Sequence, residues 1–368
     1  MSMPVSPKLA RGVFIVNAIT FNEIIHRGCE TINGTKMKNK IKVGLYGTNG
    51  HQIHNRLQSH PLAELKAVAA FDEKTLSSIG GKCEAYASLD ELIADKDIDL
   101  ISLCSPMRSK QAHEAVKCMA GGKHVYAEKP CAMSEKELDE IVKTSKSTGM
   151  IFHEMAGTAF EQPYLAMREI VRSGKIGTVV QVLAQKSYPY FDSRPQDENV
   201  DGGLMLQVGI HAMRFIEHVA CAKIADVKTV QTGLGNPKIG DLHMAVSFLI
   251  KLENGGVASA VANYLNPRAF PSWGNESLRI FGTGGFVEAV DGGKSTRLVL
   301  NDKDCGPIDI GNAPEEYFDM FAASLLGKSK MPLTLEDELH PLGMMLKVSS
   351  FGGLVCPVIS SGSSRRSP

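Results

Sequence analysis

The segment Gly121-Gly122-Lys123-His124-Val125-Tyr126-Ala127-Glu128-Lys129-Pro130 carries an apolar strand that delivers Glu128 and Lys129 at its carboxyl end. In an open α/β sheet that end faces the crevice where ligands bind. A lysine there can polarise a hydroxyl or carbonyl oxygen, and desolvation can shift its own pKa. A lysine in a loop is as often simply solvated, so the segment alone leaves both readings open. A second segment, Val43-Gly44-Leu45-Tyr46-Gly47-Thr48-Asn49-Gly50-His51-Gln52-Ile53, leads out of a first strand through a glycine-rich turn. Such a turn before a helix N-terminus suits a dinucleotide pyrophosphate, because free N–H groups point outward and missing side chains let the backbone approach. The usual spacing is Gly-x-Gly-x-x-Gly; here Gly47 fills the first place, Asn49 the second and Gln52 the third, with Gly50 extra. Alone, the match is weak. Asp72 ends the next apolar run, 22 residues beyond Gly50, where a carboxylate can accept from an adenosine ribose. It would disfavour a 2′-phosphate and so points to NAD over NADP; a lone aspartate at a strand end is also a common helix cap.

These residues need a scaffold, and the chain between 41 and about 154 supplies one. Apolar runs of strand length stand at Ile41–Tyr46, Leu65–Phe71, Leu100–Cys104, His124–Ala127 and Met150–Phe152. Helical stretches lie between them at Lys110–Met119 and at Glu135–Ser147. The second begins with the capping box Ser134-x-x-Glu137 and stops at Gly149. Alternation of this kind predicts a parallel sheet with helices on both faces. The grammar changes after about 155. Helices are expected over Tyr164–Arg172, from about Gly203 to Val219, over Glu315–Leu326 and near Leu335–Val348. Hairpins are expected where Met244–Leu252 and Val257–Asn263 flank Asn254-Gly255, and where Leu278–Phe281 and Phe286–Val290 flank Gly282–Gly285. Consecutive hairpins build a mostly antiparallel sheet, so a second, α+β domain is expected.

Composition narrows the function. Lys and Arg total 40 and Asp and Glu total 40 in 368 residues, so no broad positive field exists to hold nucleic acid or an anionic membrane. Hydrophobic residues at 43% and charged residues at 22% describe a globular chain, and no uncharged apolar run reaches transmembrane length. The eight cysteines form no Cys-x-x-Cys pair and no zinc-like cluster with histidine, so buried thiols in a reducing cytoplasm are expected, and no metal is assigned to the His51/His54 or His211/His218 groupings. Residues 1–36 match neither pattern and read as a leader or start-site extension. A chain starting at Met37 should fold alike, because the first strand begins only at Ile41; residues 351–368 read as a tail.

Gly-Lys-His-Val-x-x-Glu-Lys-Pro resembles the signature of the glucose–fructose oxidoreductase / inositol dehydrogenase / MocA family. Asp99–Pro106 is similar to that family's fourth strand, Ser173–Gly177 to its turn into the second-domain sheet, Gly202–His211 to its catalytic helix, and Phe281–Gly285 also fits. The similarity runs over about residues 41–345. It implies an N-terminal Rossmann domain (37–155), a doubly wound parallel sheet, and a C-terminal α/β domain (156–350) whose mostly antiparallel open sheet often mediates oligomerisation, hence a homo-oligomer, dimer or tetramer. It implies hydride exchange between nicotinamide and a sugar- or cyclitol-like alcohol or ketone. Carried over by position, Lys129 is the catalytic lysine, His211 the proton-transferring base, and Gln207 stands where many members have aspartate. Gly47, Thr48, Asn49, Gly50, Gln52, Ile53, Asp72, Ser105, Pro106, Glu128 and Lys129 fall in the cofactor site.

Gln207 and His211 are four apart and share one helix face, as catalytic partners or as a hydrogen-bonded structural pair. Several positions depart from the family pattern: Asn49 and Gln52 replace glycines, Ala159 stands in Thr158-Ala159-Phe160 where Arg-Phe is frequent, and Gln111 falls near a frequent histidine. Tyr188-Pro189-Tyr190-Phe191 can wall a sugar site or belong to core or interface. Two further readings stay open: a dinucleotide-binding sensor or scaffold with little activity, and a member that recycles NAD within a hydrolytic or epimerising cycle.

Overall fold

The structure, a computed structural model, describes residues 39–79, 83–312, 315–350 and 354–355. The leader and nearly all of the tail lie outside the described residues.

Six strands form one parallel sheet: β1 (Ile41–Tyr46), β2 (Ala63–Ala69), β3 (Glu84–Tyr86), β4 (Leu100–Leu103), β5 (His124–Ala127) and β6 (Phe152–Glu154). Their order, β3-β2-β1-β4-β5-β6, is that of a doubly wound nucleotide-binding sheet, with the switch point between β1 and β4. Burial on both faces explains the unbroken apolar runs: all four residues of β4 are inaccessible, as are Val43 and Leu45 of β1. The crossovers carry helices α1 (Glu73–Ile79), α2 (Leu89–Ala94), α3 (Arg108–Ala120) and α4 (Glu135–Thr148). Ser134 caps α4 by accepting from the Glu137 N–H, and Gly149 ends it in the left-handed region at φ 72°, as the sequence indicates. Strand β2 starts two residues before the expected run, and β6 lies two residues beyond its expected start.

One expectation fails. No α-helix follows the glycine-rich turn; the link from β1 to β2 holds a single 3-10 turn, Arg56–Gln58. The residues account for it, since His51, His54, Asn55, Ser59 and His60 are poor helix formers and Pro61 blocks a late turn.

The second sheet has nine strands. Its chain order is β7 (Val179–Ser187), β8 (Ile224–Thr232), β9 (Ala245–Leu252), β10 (Val257–Asn263), β11 (Ser277–Gly282), β12 (Gly285–Val290), β13 (Ser295–Leu300), β14 (Lys303–Gly306) and β15 (Leu354–Val355). Their spatial order is β14-β13-β12-β11-β7-β10-β9-β8-β15. It is mostly antiparallel, with parallel pairing at β7–β10 and β8–β15. Both expected hairpins are present, with Lys251 facing Val257 and Gly282 facing Gly285. Helices α5 (Tyr164–Arg172), α6 (203–219), α7 (Tyr317–Leu325) and α8 (Leu335–Ser350) complete the chain. Helix α6 packs on β7 and β10 and covers one sheet face, while Leu183 and Leu249 stand outward on the other. Of the six described cysteines, all unpaired, Cys104, Cys118 and Cys131 are buried as expected, whereas Cys221 and Cys305 are exposed. No described helix is long and apolar enough to cross a membrane.

Candidate active site

The turn after β1 owes its shape to Gly47. It sits at φ 71°, and a Cβ there would meet the Cys104 carbonyl oxygen at 2.2 Å, so only glycine fits. The residues that replace the other glycines hold the turn with their side chains. Gln52 Nε2 donates to the Gly47 carbonyl at 2.9 Å while its Oε1 accepts from Ser102 Oγ at 2.8 Å and from the Ile53 N–H at 3.0 Å. Asn49 Nδ2 donates to the Val200 carbonyl at 2.8 Å, tying the turn to the loop between β7 and α6. Arg108 donates to the Asn49 carbonyl at 2.6 Å and also to Gln111. The Thr48 carbonyl accepts from the Gly50 N–H, and Ile53 is buried in the core.

Glu128 lies under Gly50, where a Cβ would come within 2.4 Å of Oε2. It accepts from the backbone N–H of His51 and lies 2.8 Å from that residue's ring nitrogen. Burial pushes the Glu128 carboxyl up, but the His51 hydrogen bond and the charges of Lys129, His51 and Arg108 outweigh burial and hold it at about 2. Gln111 spans the next stretch, its Nε2 donating to the carbonyls of Glu128 and Pro130. At the carboxyl end of β4, Ser105 Oγ is buried without a partner. Asp72 is exposed and accepts from the N–H and hydroxyl of Thr75, so it caps α1.

Lys129 reaches across to α6, where its Nζ donates to the Gln207 carbonyl at 3.0 Å. Burial drives its ammonium down to about 8; Glu128 opposes the fall, and Arg108 and Arg214 add to it. Helix α6 widens into π-type turns at Met205–Gly209 and Phe215–Val219 around the α turn Ile210–Arg214 that bears His211. Such widened turns recur at functional sites. His211 is buried; desolvation first, then the charges of Lys186, Lys129, Arg214 and His51, hold its imidazole well below the usual range and keep it neutral. Its Nδ1 lies 3.0 Å from Thr158 Oγ1, and its Nε2 has no partner. Lys129, Thr158 and His211 line a single cavity of about 180 Å³ together with His51, Arg56 and Tyr317. That volume is below the usual range for drug-sized ligands.

The Gln207 amide faces elsewhere. Its Oε1 accepts from Arg194 Nη1 at 3.1 Å and from the Tyr264 hydroxyl at 3.0 Å. Of the aromatic run, Tyr188 lies edge-on to His211, with ring centroids 6.3 Å apart, and Phe191 stacks on Trp273. Nothing in the local sequence marks Arg108 or gives Thr158 a role in the site. Lys186, ion-paired with Glu276, and the buried Asp201, whose charge acts on Lys129, are equally unmarked by local spacing. The only signal for Lys186 was a cation within an otherwise alternating strand. Among the described residues, no three His, Cys, Asp or Glu side chains are grouped to hold a metal.

A doubly wound sheet with a glycine-locked turn at its switch point, and a lysine and a histidine sharing a cavity beside it, define a dinucleotide-linked oxidoreductase scaffold. Residues 41–155 match the oxidoreductase family with an NAD-binding Rossmann fold, and 164–288 match the GFO/IDH/MocA C-terminal domain, so the chain belongs to the GFO/IDH/MocA oxidoreductase family. It is 24% identical over 285 residues to the uncharacterized oxidoreductase YrbE of Bacillus subtilis, covering 73% of this chain and 79% of that one. It is 24% identical over 226 residues to the myo-inositol 2-dehydrogenase of Thermotoga maritima, covering 60% of this chain and 64% of the relative, less than two thirds of its length. A solved putative oxidoreductase from Thermotoga maritima superposes with a TM-score of 0.77 at 23% identity, over 84% of this chain and 97% of that one, and shows the shared fold.

The residues present fit a dinucleotide at the Gly47 turn. The feature that suits it is the buried Ser105 Oγ, which has no partner at the adjacent strand end. Three contacts oppose it: the N–H groups of Asn49, Gly50 and His51, which would face a pyrophosphate, are engaged by the Cys104 carbonyl, the Thr48 carbonyl and Glu128.

Proposed function

We propose that this chain exchanges a hydride between a nicotinamide dinucleotide, NAD in preference to NADP, and a secondary alcohol or ketone of a sugar or cyclitol. The observation that carries the proposal is the pairing of Lys129 with an unpartnered His211 Nε2 in one cavity. Similarity to a myo-inositol dehydrogenase supports the substrate class. Gly47, Thr48, Asn49, Gly50, Gln52 and Ile53 would form the turn that holds the dinucleotide, with Asp72 at the ribose and Ser105, Pro106 and Glu128 toward its nicotinamide end. The cofactor, when bound, supplies the hydride acceptor or donor. Lys129, as ammonium, orients and polarises the reacting oxygen. His211, neutral, takes the alcohol proton on Nε2, and in the reverse direction the imidazolium so formed returns it. The open face of the second sheet, with Leu183 and Leu249 outward, is the surface through which the chain would pair with a second copy.

A second reading, a cofactor-binding member with little turnover, is favoured by the missing helix after Gly47 and by the Glu128–His51 bond. One experiment separates the two. Lys129→Met and His211→Ala should each lower turnover of NADH with cyclitol and sugar ketones by about 10²–10⁴-fold while leaving NADH affinity nearly intact. Cofactor binding without turnover in the wild type selects the second reading, and full activity in the Lys129 variant removes the mechanism. Equal titration of NADH and NADPH removes Asp72 from the ribose site.

A further inference from the structure

We infer that Thr158 is the positioning residue of the proton-transferring histidine, its hydroxyl deciding which nitrogen of His211 presents a proton to the cavity. The inference rests on His211 being the proton carrier proposed above. Thr158 lies in the single 3-10 turn Gly157–Phe160 that follows β6. That turn is pinned from outside. A Cβ on Gly157 would stand 3.0 Å from the Cβ of Tyr317, and Phe160 stacks on the Tyr317 ring with centroids 5.3 Å apart. The hydroxyl is thereby held 3.0 Å from His211 Nδ1, with Thr158 8% and His211 7% exposed. The opposite nitrogen, Nε2, is buried without a protein partner.

A neutral imidazole has one N–H to place, and a hydroxyl can accept from it or donate to it. When Nδ1–H donates to Thr158, Nε2 offers a lone pair and takes the alcohol proton. When the Thr158 hydroxyl donates to Nδ1, Nε2–H faces the cavity and can only hydrogen-bond a ketone oxygen; the proton that completes reduction leaves Nε2 of the imidazolium, whose Nδ1–H then donates to Thr158. A carboxylate in that place would favour the first arrangement alone and raise the histidine pKa. The charged groups acting most on the ring are Lys186 from β7, Lys129 from the segment after β5, Arg214 one turn along α6, and His51 from the turn after β1. Glu276 and Glu128 are paired with the two lysines. In this cationic setting a neutral hydroxyl leaves the resting imidazole uncharged, ready to take the alcohol proton, and the imidazolium so formed is the acid of the reverse step.

The test reads the ring directly, in the full chain with ¹⁵N-histidine, the His211 signals being assigned by their loss in His211→Asn. Thr158→Val removes the hydroxyl at nearly constant volume, and Thr158→Ser keeps it. The expected result is a change in the Nδ1 and Nε2 shifts of His211 in the valine variant, reporting a new tautomer ratio, and recovery in the serine variant. Where the wild type turns over, kcat should fall roughly 10- to 100-fold in the valine variant, the loss typical when a functional histidine is no longer oriented, with cofactor affinity and melting temperature near wild type. Thr158→Ala gives the same reading if valine disturbs folding. Wild-type ring shifts in both the valine and alanine variants would overturn the inference. Absence of turnover in every form, with the ring shifts changing as expected, would instead strike the proposed reaction and leave the role of Thr158 standing.

Discussion

The turn that follows β1 and the cavity between Lys129 and His211 lie close together and are built on opposite principles. In the turn, each polar group that replaces a glycine is satisfied within the protein: Gln52 bridges Gly47 and Ser102, and Asn49 reaches Val200. In the cavity, His211 Nε2 is left without a partner, and nearby Ser105 Oγ is also unpaired, although both are buried. Burying an unsatisfied polar atom costs about 1–3 kcal/mol, and at His211 Nε2 a substrate hydroxyl entering the cavity would offset that cost. The contrast teaches that substitutions in the turn bear on stability, whereas the open valences in the cavity bear on chemistry.

The largest expected effect that could break this contrast is on stability. Gln52→Gly restores a family glycine but strips partners from Ser102 Oγ and the Gly47 carbonyl. A loss of about 1–3 kcal/mol is expected from the stranded hydrogen bonds, and flexibility in the turn adds to it. Thermal melting should show the drop, and NADH affinity should not improve. A tighter NADH complex in Gln52→Gly would mean that the turn is a damaged nucleotide site and not a rebuilt one.

A second, smaller effect sharpens the cavity's side of the contrast. Lys129 polarises only as ammonium, and burial has brought its pKa down to about 8. Ketone reduction should therefore hold at neutral pH and decline as pH rises through about 8. Alcohol oxidation, which needs the neutral imidazole as base, should keep its acidic limb well below pH 6.5, because His211 stays neutral there. Glu128 is the neighbour that favours the charged lysine, so Glu128→Gln should move the alkaline limb to lower pH. An alkaline limb that stays put in that variant would detach it from Lys129.

The same contrast explains how much can be read from the residues alone. The parallel sheet is legible because β1, β4 and β5 are buried on both faces and so consist of plain apolar runs. The turn punctuation of the second domain is legible too, as Asn254-Gly255 and Gly282–Gly285 sit at their hairpins. Lys129 and His211 are legible through family resemblance, and the structure brings them to one cavity. The helix expected after Gly47 is absent: the glycine turn suggests it, while Asn55, Ser59 and Pro61 oppose it and prevail. Thr158, Arg108 and Lys186 escape because each acts through a contact with a distant segment, and local spacing carries no trace of a partner so far along the chain.

Gln207 is the finest test of where the two regimes meet. Spacing places it one helical turn before His211, which suggests that an aspartate there would charge the histidine. Its geometry points another way: the main-chain carbonyl holds Lys129, and the amide oxygen accepts from Arg194 and Tyr264. Arg194 in turn lies 3.8 Å from the centre of the Tyr264 ring. A carboxylate at 207 would therefore meet the Arg194 guanidinium first and be neutralised there. Gln207→Asp should leave the acidic limb of the pH–rate profile nearly in place and keep most of kcat, because the carbonyl that holds Lys129 belongs to the backbone. The shorter side chain cannot serve both Arg194 and the Tyr264 hydroxyl, so melting should fall modestly, by the worth of about one buried hydrogen bond, ~1 kcal/mol. An acidic limb displaced upward by about one pH unit, ~1.4 kcal/mol of added preference for imidazolium, would show that the new carboxylate reaches His211. Gln207 would then belong with the open cavity and not with the satisfied framework around it.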